Sequence, residues 1–180
     1  EKQIACLEAL DLTNEVQKEI IDARTSLGLY YTQINYHVEA KEAIDPIINL
    51  AVELDYKRRL SQIYTILGAY EYLVEEDFPK AITRLEEALK ISTVIGDGLS
   101  FAQANYWLGL ALSFTCEFEK DLYHFEKVYH LLEEAKSPWG ISSMKSVISY
   151  FVYNMQGKID VGYQISQEAV QITEGINDAY

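Results

Sequence analysis

Three histidines have the clearest potential as metal ligands in this sequence, namely His37, His124 and His130. A zinc site on one helix typically uses two histidines four residues apart, so that both rings lie on the same face. His124 and His130 are six residues apart in the sequence and do not share a helix face. No cysteine or serine lies at a spacing that would complete a metal site or a catalytic triad with them. We therefore expect three solvated histidine side chains and no metal site.

The segment Gly96-Asp97-Gly98 invites interpretation as a phosphate-binding loop. A nucleotide loop of this kind follows a β-strand and ends in lysine followed by serine or threonine, and both features are missing. A helix that stops at the first glycine and another that starts at the aspartate account for these residues. Acidic pairs such as Glu86-Glu87 are typical of solvated helix faces, because acid–base catalysis needs carboxylates in a cleft. The sequence predicts that the chain is not an enzyme and needs no cofactor.

The charge of the sequence argues against nucleic acids and membranes as partners. With 28 acidic and 15 basic residues, the formal net charge is −13. A nucleic-acid-binding protein needs a basic face that displaces counterions from phosphates, and Lys57-Arg58-Arg59 is the only basic cluster of the sequence. A solvated helix start accounts for that cluster, and an anionic membrane surface would repel a chain of this charge. We expect neither nucleic acid nor membrane as a partner.

The two cysteines, Cys6 and Cys116, lie far apart in the sequence. Two cysteines at this separation do not form the disulfide framework of a secreted protein, so a reducing cytoplasm is the expected location. We expect both thiols to be buried and inert. No apolar run approaches the roughly 20 residues that span a bilayer.

A large aliphatic residue followed by a small one recurs along the chain. These pairs are Leu27-Gly28, Leu67-Gly68, Leu108-Gly109 and Ile148-Ser149, with spacings of 40, 41 and 40 residues. Residues that favour helix starts recur with nearly the same period at Asn14, Asp55, Asp97, Pro138 and Asp178. Asn14 also has Gln17 three residues later, which is a capping-box pattern. The two agreeing series predict a helical repeat of about 40 residues.

Between these marks the apolar residues follow three- and four-residue steps, which predicts two helices in each repeat. The first helices are expected at about 15–35, 56–76, 98–116 and 138–156, and the second at about 39–54, 78–95, 118–135 and 158–175. Residues 2–11 are expected to end a helix of a preceding repeat. Pro46 lies inside the first of the second helices, where it is expected to kink the chain or mark a later start. Since glycine within a helix costs about 1 kcal/mol relative to alanine, its recurrence indicates close approach of the two helices.

This pattern resembles the tetratricopeptide repeat family, whose unit is a helix pair with large and small residues at set positions. The second repeat matches best, at Tyr64, Leu67, Gly68, Ala81, Leu85 and Ala88. Two residues depart from the family pattern, because Asp121 stands where a small residue is usual and Glu71 where an aromatic residue is usual. The resemblance covers about residues 15–175. Its period is similar to the roughly 40-residue variety of kinesin light chains, cell-polarity adaptors and bacterial signalling ATPases, cyclases and regulators.

The resemblance implies an all-α fold, a right-handed superhelical solenoid of antiparallel helix pairs. It further implies a single solenoid domain over residues 1–180, with a partial helix at 1–12 and repeats at about 14–54, 55–96, 97–136 and 137–176. Stacking is expected because one helix pair cannot bury its apolar face alone.

In tetratricopeptide stacks the first helices line a concave groove, and the resemblance implies which residues face it. Those expected to bind a partner are Gln62, Thr65, Tyr72, Gln103, Tyr106, Leu110, Phe114, Tyr150, Tyr153 and Asn154. The first repeat contributes Thr25, Leu29, Thr32 and Gln33 at the corresponding positions. This set lacks the lysines and arginines with which chaperone-binding members hold a partner's terminal carboxylate. Its aromatic members are expected to anchor an extended or helical segment instead.

The function expected from the resemblance is that of a non-catalytic protein–protein interaction scaffold in a larger signalling protein, with a peptide or helix bound in the groove. The alternative is a structural segment that packs on other domains of its own chain, or on a second copy, without a separate ligand. Since the sequence opens on Glu1 rather than methionine, and residues 177–180 resemble the start of a further element, we expect a fragment of a longer protein.

Overall fold

The computed structural model describes residues 2–176, and over that range the regular structure is helical, with no strand. The α-helices are α1 Lys2–Glu8, α2 Asn14–Gln33, α3 His37–Ile44, α4 Ile48–Glu53, α5 Lys57–Leu73, α6 Phe78–Ile95, α7 Gly98–Phe114, α8 Phe118–Glu134, α9 Pro138–Val147 and α10 Ile159–Gly175. A 3₁₀ turn, Asp45–Ile47, joins α3 to α4, and a π-helical segment, Ile148–Asn154, continues α9. The predicted all-α fold built from paired helices is confirmed.

Contacts divide the chain into two compact units, with the division after Trp107 and therefore inside α7. The first unit contains α1 to α6 and the first part of α7, and its core includes Ile21, Ile44 and Ile63, none of them measurably exposed. The second unit contains the rest of α7 and the helices that follow, with Phe125 fully buried in its core. The prediction of one solenoid over residues 1–180 with four repeats stays a prediction.

Most helices are followed within three residues by a residue with a left-handed backbone. Inside the helix pairs these residues are Asn35, Glu76, Cys116 and Gly157, and between the pairs they are Asp55, Gly96 and Lys136. Both sets repeat at intervals of 40 or 41 residues. A residue with positive φ turns the chain out of the helix and lets the last carbonyl groups find partners, which explains why the helix breaks recur with the repeat.

The helix starts agree only in part with the predicted capping residues. Thr13, and not Asn14, caps α2, because its Oγ1 accepts a hydrogen bond from the Val16 amide at 3.3 Å. Pro138 takes the first position of α9 as predicted, behind the capping residue Ser137. Asp55 does not cap α5, which starts at Lys57 after Tyr56. The prediction of a further helix start at Asp178 lies outside the described residues.

Pro46 interrupts the second helix of the first pair. It sits near the start of the 3₁₀ turn that separates α3 from α4. Proline has no amide hydrogen to donate and its ring clashes with the preceding turn, so the α-helical bonding pattern must change there. The predicted disruption at Pro46 is confirmed.

The exposure of the two cysteines differs from the prediction. Cys6 and Cys116 are both exposed, so the expectation of buried thiols was wrong. Cys116 lies in the turn between α7 and α8, with φ 61°. A cysteine in an acidic, helical sequence gives no sign of whether it falls on a buried face or in a turn. No helix between residues 2 and 176 is long and apolar enough to cross a membrane.

Each of the recurring glycines lies where two helices of a pair come closest. A Cβ atom at Gly28 would lie 2.8 Å from Cγ2 of Ile44, and one at Gly68 would lie 2.5 Å from Cγ of Leu85. At Gly109 the added atom would lie 2.6 Å from Cε1 of Phe125. Carbon atoms do not approach to such distances without displacement, so a large side chain of the second helix occupies the space that the glycine leaves. The predicted close approach is confirmed.

In the fourth pair the residues that meet are all small. Ser149 stands at the recurring position of the first helix, and its hydroxyl donates a hydrogen bond of 2.7 Å to the carbonyl oxygen of Gly162 in α10. The Ser149 hydroxyl also lies 2.7 Å from that of Ser166, which follows it at the same spacing at which Leu85 follows Gly68. A Cβ atom on Gly162 would clash with Asn154 Oδ1 and lie 3.2 Å from the Ser149 carbonyl oxygen. At this crossing, hydrogen bonds between small residues take the place of a large side chain.

The charged residue at position 71 is accommodated by two cations of the same pair. Glu71 is 3% exposed, although the family pattern has an aromatic residue there. Its Oε1 lies 3.5 Å from Lys80 Nζ and 3.7 Å from Arg84 Nε, both in α6. Burial raises the pKa of this carboxyl group, and the two cations oppose the rise.

Gly109→Leu should lower the free energy of unfolding of the second unit by about 3 kcal/mol, because the new side chain must displace the Phe125 ring from a filled core. Urea unfolding followed by circular dichroism measures the change. Gly175→Leu, in α10 of the same unit, is the matched control, since no atom lies within 4 Å of a Cβ placed there. Equal stability of Gly109→Leu and the wild type would contradict the close approach.

Candidate functional site

A cavity of about 280 Å³ lies in the first unit among α2, α5 and the first part of α7. We call it the α2–α5–α7 cavity, and its lining residues are Leu29, Thr32, Gln33, Asn35, Thr65, Ile66, Gln103, Tyr106 and Trp107. Six of these nine were predicted to face a groove, namely Leu29, Thr32, Gln33, Thr65, Gln103 and Tyr106. The structure thus brings together predicted residues from three successive first helices.

The aromatic side of this cavity is built around Trp107. The Trp107 ring meets the Tyr106 ring edge-on, at a centroid distance of 5.5 Å and an interplanar angle of 81°. It also contacts the rings of His37 at 5.6 Å and Tyr72 at 6.3 Å. Sequence reasoning missed Trp107, although it is one of two tryptophans and directly follows a predicted groove residue. These contacts hold the indole in place before any partner arrives.

The polar side of the cavity is uncharged and rich in hydrogen-bond acceptors. The hydroxyl of Thr32 donates its proton to the carbonyl oxygen of Gly28 at 2.9 Å. The hydroxyl of Thr65 likewise donates its proton to the carbonyl oxygen of Ser61 at 2.9 Å. Each threonine has then used its one proton, and its hydroxyl oxygen can only accept. The side-chain oxygen Oε1 of Gln103 is buried and has no hydrogen-bond partner. Such a lining suits a ligand that brings donors.

Three predicted groove residues of the first unit lie in the interior and do not line the cavity. Thr25 is not measurably exposed, and Gln62 is 2% exposed, with its Oε1 accepting a hydrogen bond of 2.7 Å from Arg59 Nη1. Tyr72 is 6% exposed and packs on Phe78 and Trp107, and burial raises the pKa of its hydroxyl to about 12. Of the three, Tyr72 contacts the lining, through Trp107.

The predicted residues of the second unit are placed at different depths. Leu110 is 5% exposed, whereas Phe114 is 47% and Tyr150 is 60% exposed. Phe151 joins the two aromatic residues, with ring centroids 6.3 Å from Phe114 and 4.9 Å from Tyr150. These three rings form an aromatic cluster, and two of them, Tyr150 and Phe151, belong to the π-helical segment.

Tyr153 and Asn154 complete the predicted set and lie half-buried in that segment. The Asn154 side-chain oxygen is buried without a hydrogen-bond partner and occupies the place where Gly162 lacks a Cβ atom. π-helical turns are rare and are often found at functional sites. Nothing in the periodicity of the sequence indicated the π-helical turn, because its apolar steps are those of an ordinary helix.

A shallower depression of about 520 Å³ adjoins the cavity at Asn35. Its other lining residues are Tyr36, His37, Val38, Glu39, Leu73 and Val74. His37 is 8% exposed and neither ring nitrogen has a hydrogen-bond partner, while burial lowers the pKa of the ring. The imidazole is therefore neutral near pH 7, with one donor and one acceptor unused.

The histidines differ from the prediction of three solvated side chains. His37 is buried and His124 is half-buried, and of the three only His130 is largely exposed. Burial lowers the pKa of His124 to about 4. Among residues 2–176 no three histidine, cysteine or acidic side chains are grouped so that they could hold a metal ion.

Comparisons with known proteins support the fold. This chain is similar to a crystal structure of MamA, with a TM-score of 0.59 and 21% sequence identity. The superposition covers 92% of this chain and 89% of the MamA chain. The fold is tetratricopeptide-like. At this level of identity the likeness extends to the fold alone. No protein-family model and no curated protein matches the sequence.

A buried carboxyl group sits between α7 and α8 in the second unit. Asp121 is not measurably exposed, and its Oδ2 accepts a hydrogen bond of 2.8 Å from the Ser113 hydroxyl. Its other oxygen, Oδ1, has no hydrogen-bond partner. Burial raises the pKa of Asp121 to about 6, and the hydrogen bond from Ser113 opposes the rise. The folded chain thus holds this proton more tightly than the unfolded chain does.

Asp121 should make the second unit less stable as the pH rises. Between the unfolded pKa of about 4 and the folded value the native state binds more protons, so stability falls with pH up to about 6 and then stays low. Asp121→Asn should therefore be more stable than the wild type at pH 7.5, by about 1–3 kcal/mol, and nearly equal at pH 4. Urea unfolding at both pH values measures this difference.

Burial lowers the pKa of His124, so His124 makes the folded chain less stable as the pH falls, which opposes the effect of Asp121. Comparing the variant with the wild type at each pH removes this contribution, because both proteins contain His124. Asp160→Asn, which changes an exposed carboxylate of α10 in the same unit, is the control and should show no such gain. A gain for Asp121→Asn that is independent of pH would contradict the assignment.

Proposed function

We propose that this chain is a non-catalytic scaffold for protein–protein interaction within a larger signalling protein, and that a peptide or helix of the partner binds across the α2–α5–α7 cavity. The observation that carries the proposal is the convergence of side chains from three successive first helices on one uncharged cavity with an aromatic side. Tyrosine and tryptophan dominate the binding energy of many interfaces, because they bury a large area at a low cost in conformational entropy.

The size of the cavity favours a side chain over a whole small molecule. Sites for drug-sized ligands and cofactors usually enclose about 300–1,000 Å³, and this cavity lies just below that range at about 280 Å³. The larger depression beside it shares Asn35 and exposes Tyr36, Val38, Leu73 and Val74. A segment that crosses the Asn35 turn would place successive side chains in both. Phe114, Tyr150, Tyr153 and Asn154 of the second unit stay predicted partner contacts.

The alternative function is packing on another domain of the parent chain or on a second copy, and one observation favours it. Ile159, Tyr163 and Val170 of α10 follow helical steps and are 58%, 63% and 49% exposed. An apolar stripe of this kind often marks an interface. Sedimentation over a range of concentrations distinguishes the two functions, because a dimer that Tyr163→Asp dissociates would favour self-association.

Peptides selected from a random library for binding to this chain should lose affinity when the mouth of the cavity is blocked. Gln33 is exposed at the cavity, so Gln33→Trp adds bulk there without disturbing the core. We expect the dissociation constant, measured by calorimetry, to rise about tenfold or more, since a lost anchor costs at least 1–2 kcal/mol. Gln164→Trp on exposed α10 is the control. Unchanged affinity of every selected peptide for Gln33→Trp would refute the proposed site.

Acidic peptides that imitate chaperone tails should not bind. No lysine or arginine lines the cavity, and the whole chain carries a net charge of −13, so a carboxylate would meet no counter-charge and a repulsive field. Titration with such a peptide in calorimetry, at low and high salt, checks this. Micromolar binding that disappears on adding salt would show that a basic clamp exists.

A further inference from the structure

We infer that the α2–α5–α7 cavity receives the side chain of an arginine from the partner segment. This inference rests on the proposed function and adds the chemistry of the residue that is recognised. Three features of the cavity carry it, namely an angled pair of aromatic rings, a set of acceptors that have no protons to offer, and the absence of any cation in the lining.

The rings of Tyr106 and Trp107 offer two faces that a cation can approach. They stand at 81° to each other with centroids 5.5 Å apart, so the ring faces point in different directions along the lining. A guanidinium group is attracted by the negative face of an aromatic ring, and the attraction grows to about 2 kcal/mol or more when the pair is removed from water. Arginine is used for such stacking more often than lysine, because its head group is flat and weakly hydrated.

Three oxygens of the polar lining complement a group that only donates hydrogen bonds, and the donors of the lining are the N–H groups of residues such as Gln33, Asn35 and Trp107. Oε1 of Gln103 has no partner, and the hydroxyl oxygens of Thr32 and Thr65 have already given their protons to backbone carbonyl groups. A guanidinium group has five N–H donors and no acceptor, so it can satisfy several of these oxygens at once. An apolar side chain in the cavity would leave them without partners, at a cost in affinity for each buried oxygen.

The shape of the cavity and the charge of its lining also suit an arginine side chain. Leu29 and Ile66 supply apolar surface for the methylene groups of a long side chain, and the cavity of about 280 Å³ is small. None of the nine lining residues carries a charge, so no cation inside the cavity repels the guanidinium group. The net charge of −13 raises the local concentration of basic segments around the chain.

The test compares two peptides that differ in a single charge. One is a short peptide whose only charge is that of a central arginine, and the other has citrulline, the neutral isostere of arginine, in its place. Trp139→Phe leaves Trp107 as the sole tryptophan, so that its fluorescence or its indole N–H resonance reports on the cavity. We expect the arginine peptide to bind with a dissociation constant of about 1 mM and the citrulline peptide about tenfold more weakly.

Charge changes at the mouth of the cavity test whether the effect is local. Gln33→Glu should strengthen binding of the arginine peptide and Gln33→Lys should weaken it, each by about threefold to tenfold. Gln103→Met, which keeps the length of the side chain and removes the acceptor, should reduce the preference for arginine over citrulline. Gln164→Lys adds the same charge on exposed α10 in the other unit and should change little.

The possible results separate this inference from the proposed function. If both peptides perturb Trp107 equally, the arginine inference is overturned while the cavity remains a peptide site. If Gln164→Lys weakens binding as much as Gln33→Lys does, the attraction comes from net charge and the inference is overturned. If neither peptide perturbs Trp107 at about 10 mM, the inference fails, and the library peptides tested against Gln33→Trp decide separately on the scaffold.

Discussion

Each of the first three helix pairs depends on one close crossing, where the first helix carries only a glycine and the second carries a large side chain. In the second pair Leu85 fills the space beside Gly68, and in the third Phe125 fills the space beside Gly109. Such a contact has a single solution, because moving either helix by one residue would put two side chains in the same place. The crossing therefore fixes the rotation of each first helix about its own axis.

The candidate site follows from that fixed rotation. Gly28 and Gly68 contact the second helices of their pairs, and Thr32 and Thr65, one helical turn away from them on α2 and α5, line the α2–α5–α7 cavity. Their hydroxyl groups bond to their own helices, which removes donors from the lining without any contribution from a neighbouring helix. The proposed binding site needs side chains that the crossings hold in fixed positions.

Sequence periodicity predicted which face a residue occupies better than how deep it lies. The helix ranges were close to those observed because turns with positive φ recur along the chain, and six cavity residues were predicted from the resemblance to the tetratricopeptide family. Depth depends on the bulk of neighbouring helices, which no single segment contains. Gln62 and Tyr72 proved to be interior for that reason, as did His37, whereas the cysteines proved to be exposed.

The fourth pair bears on how substitutions in such a chain are coupled. Ser149 bonds to the Gly162 carbonyl oxygen and to the Ser166 hydroxyl, whereas in the third pair the ring of Phe125 lies beside Gly109. Residues that meet across a crossing cannot be changed independently, since a large side chain on one helix needs a very small residue on the other. Helix pairs of this chain should accordingly be compared two positions at a time, because the residue on one helix does not by itself show what its partner helix carries.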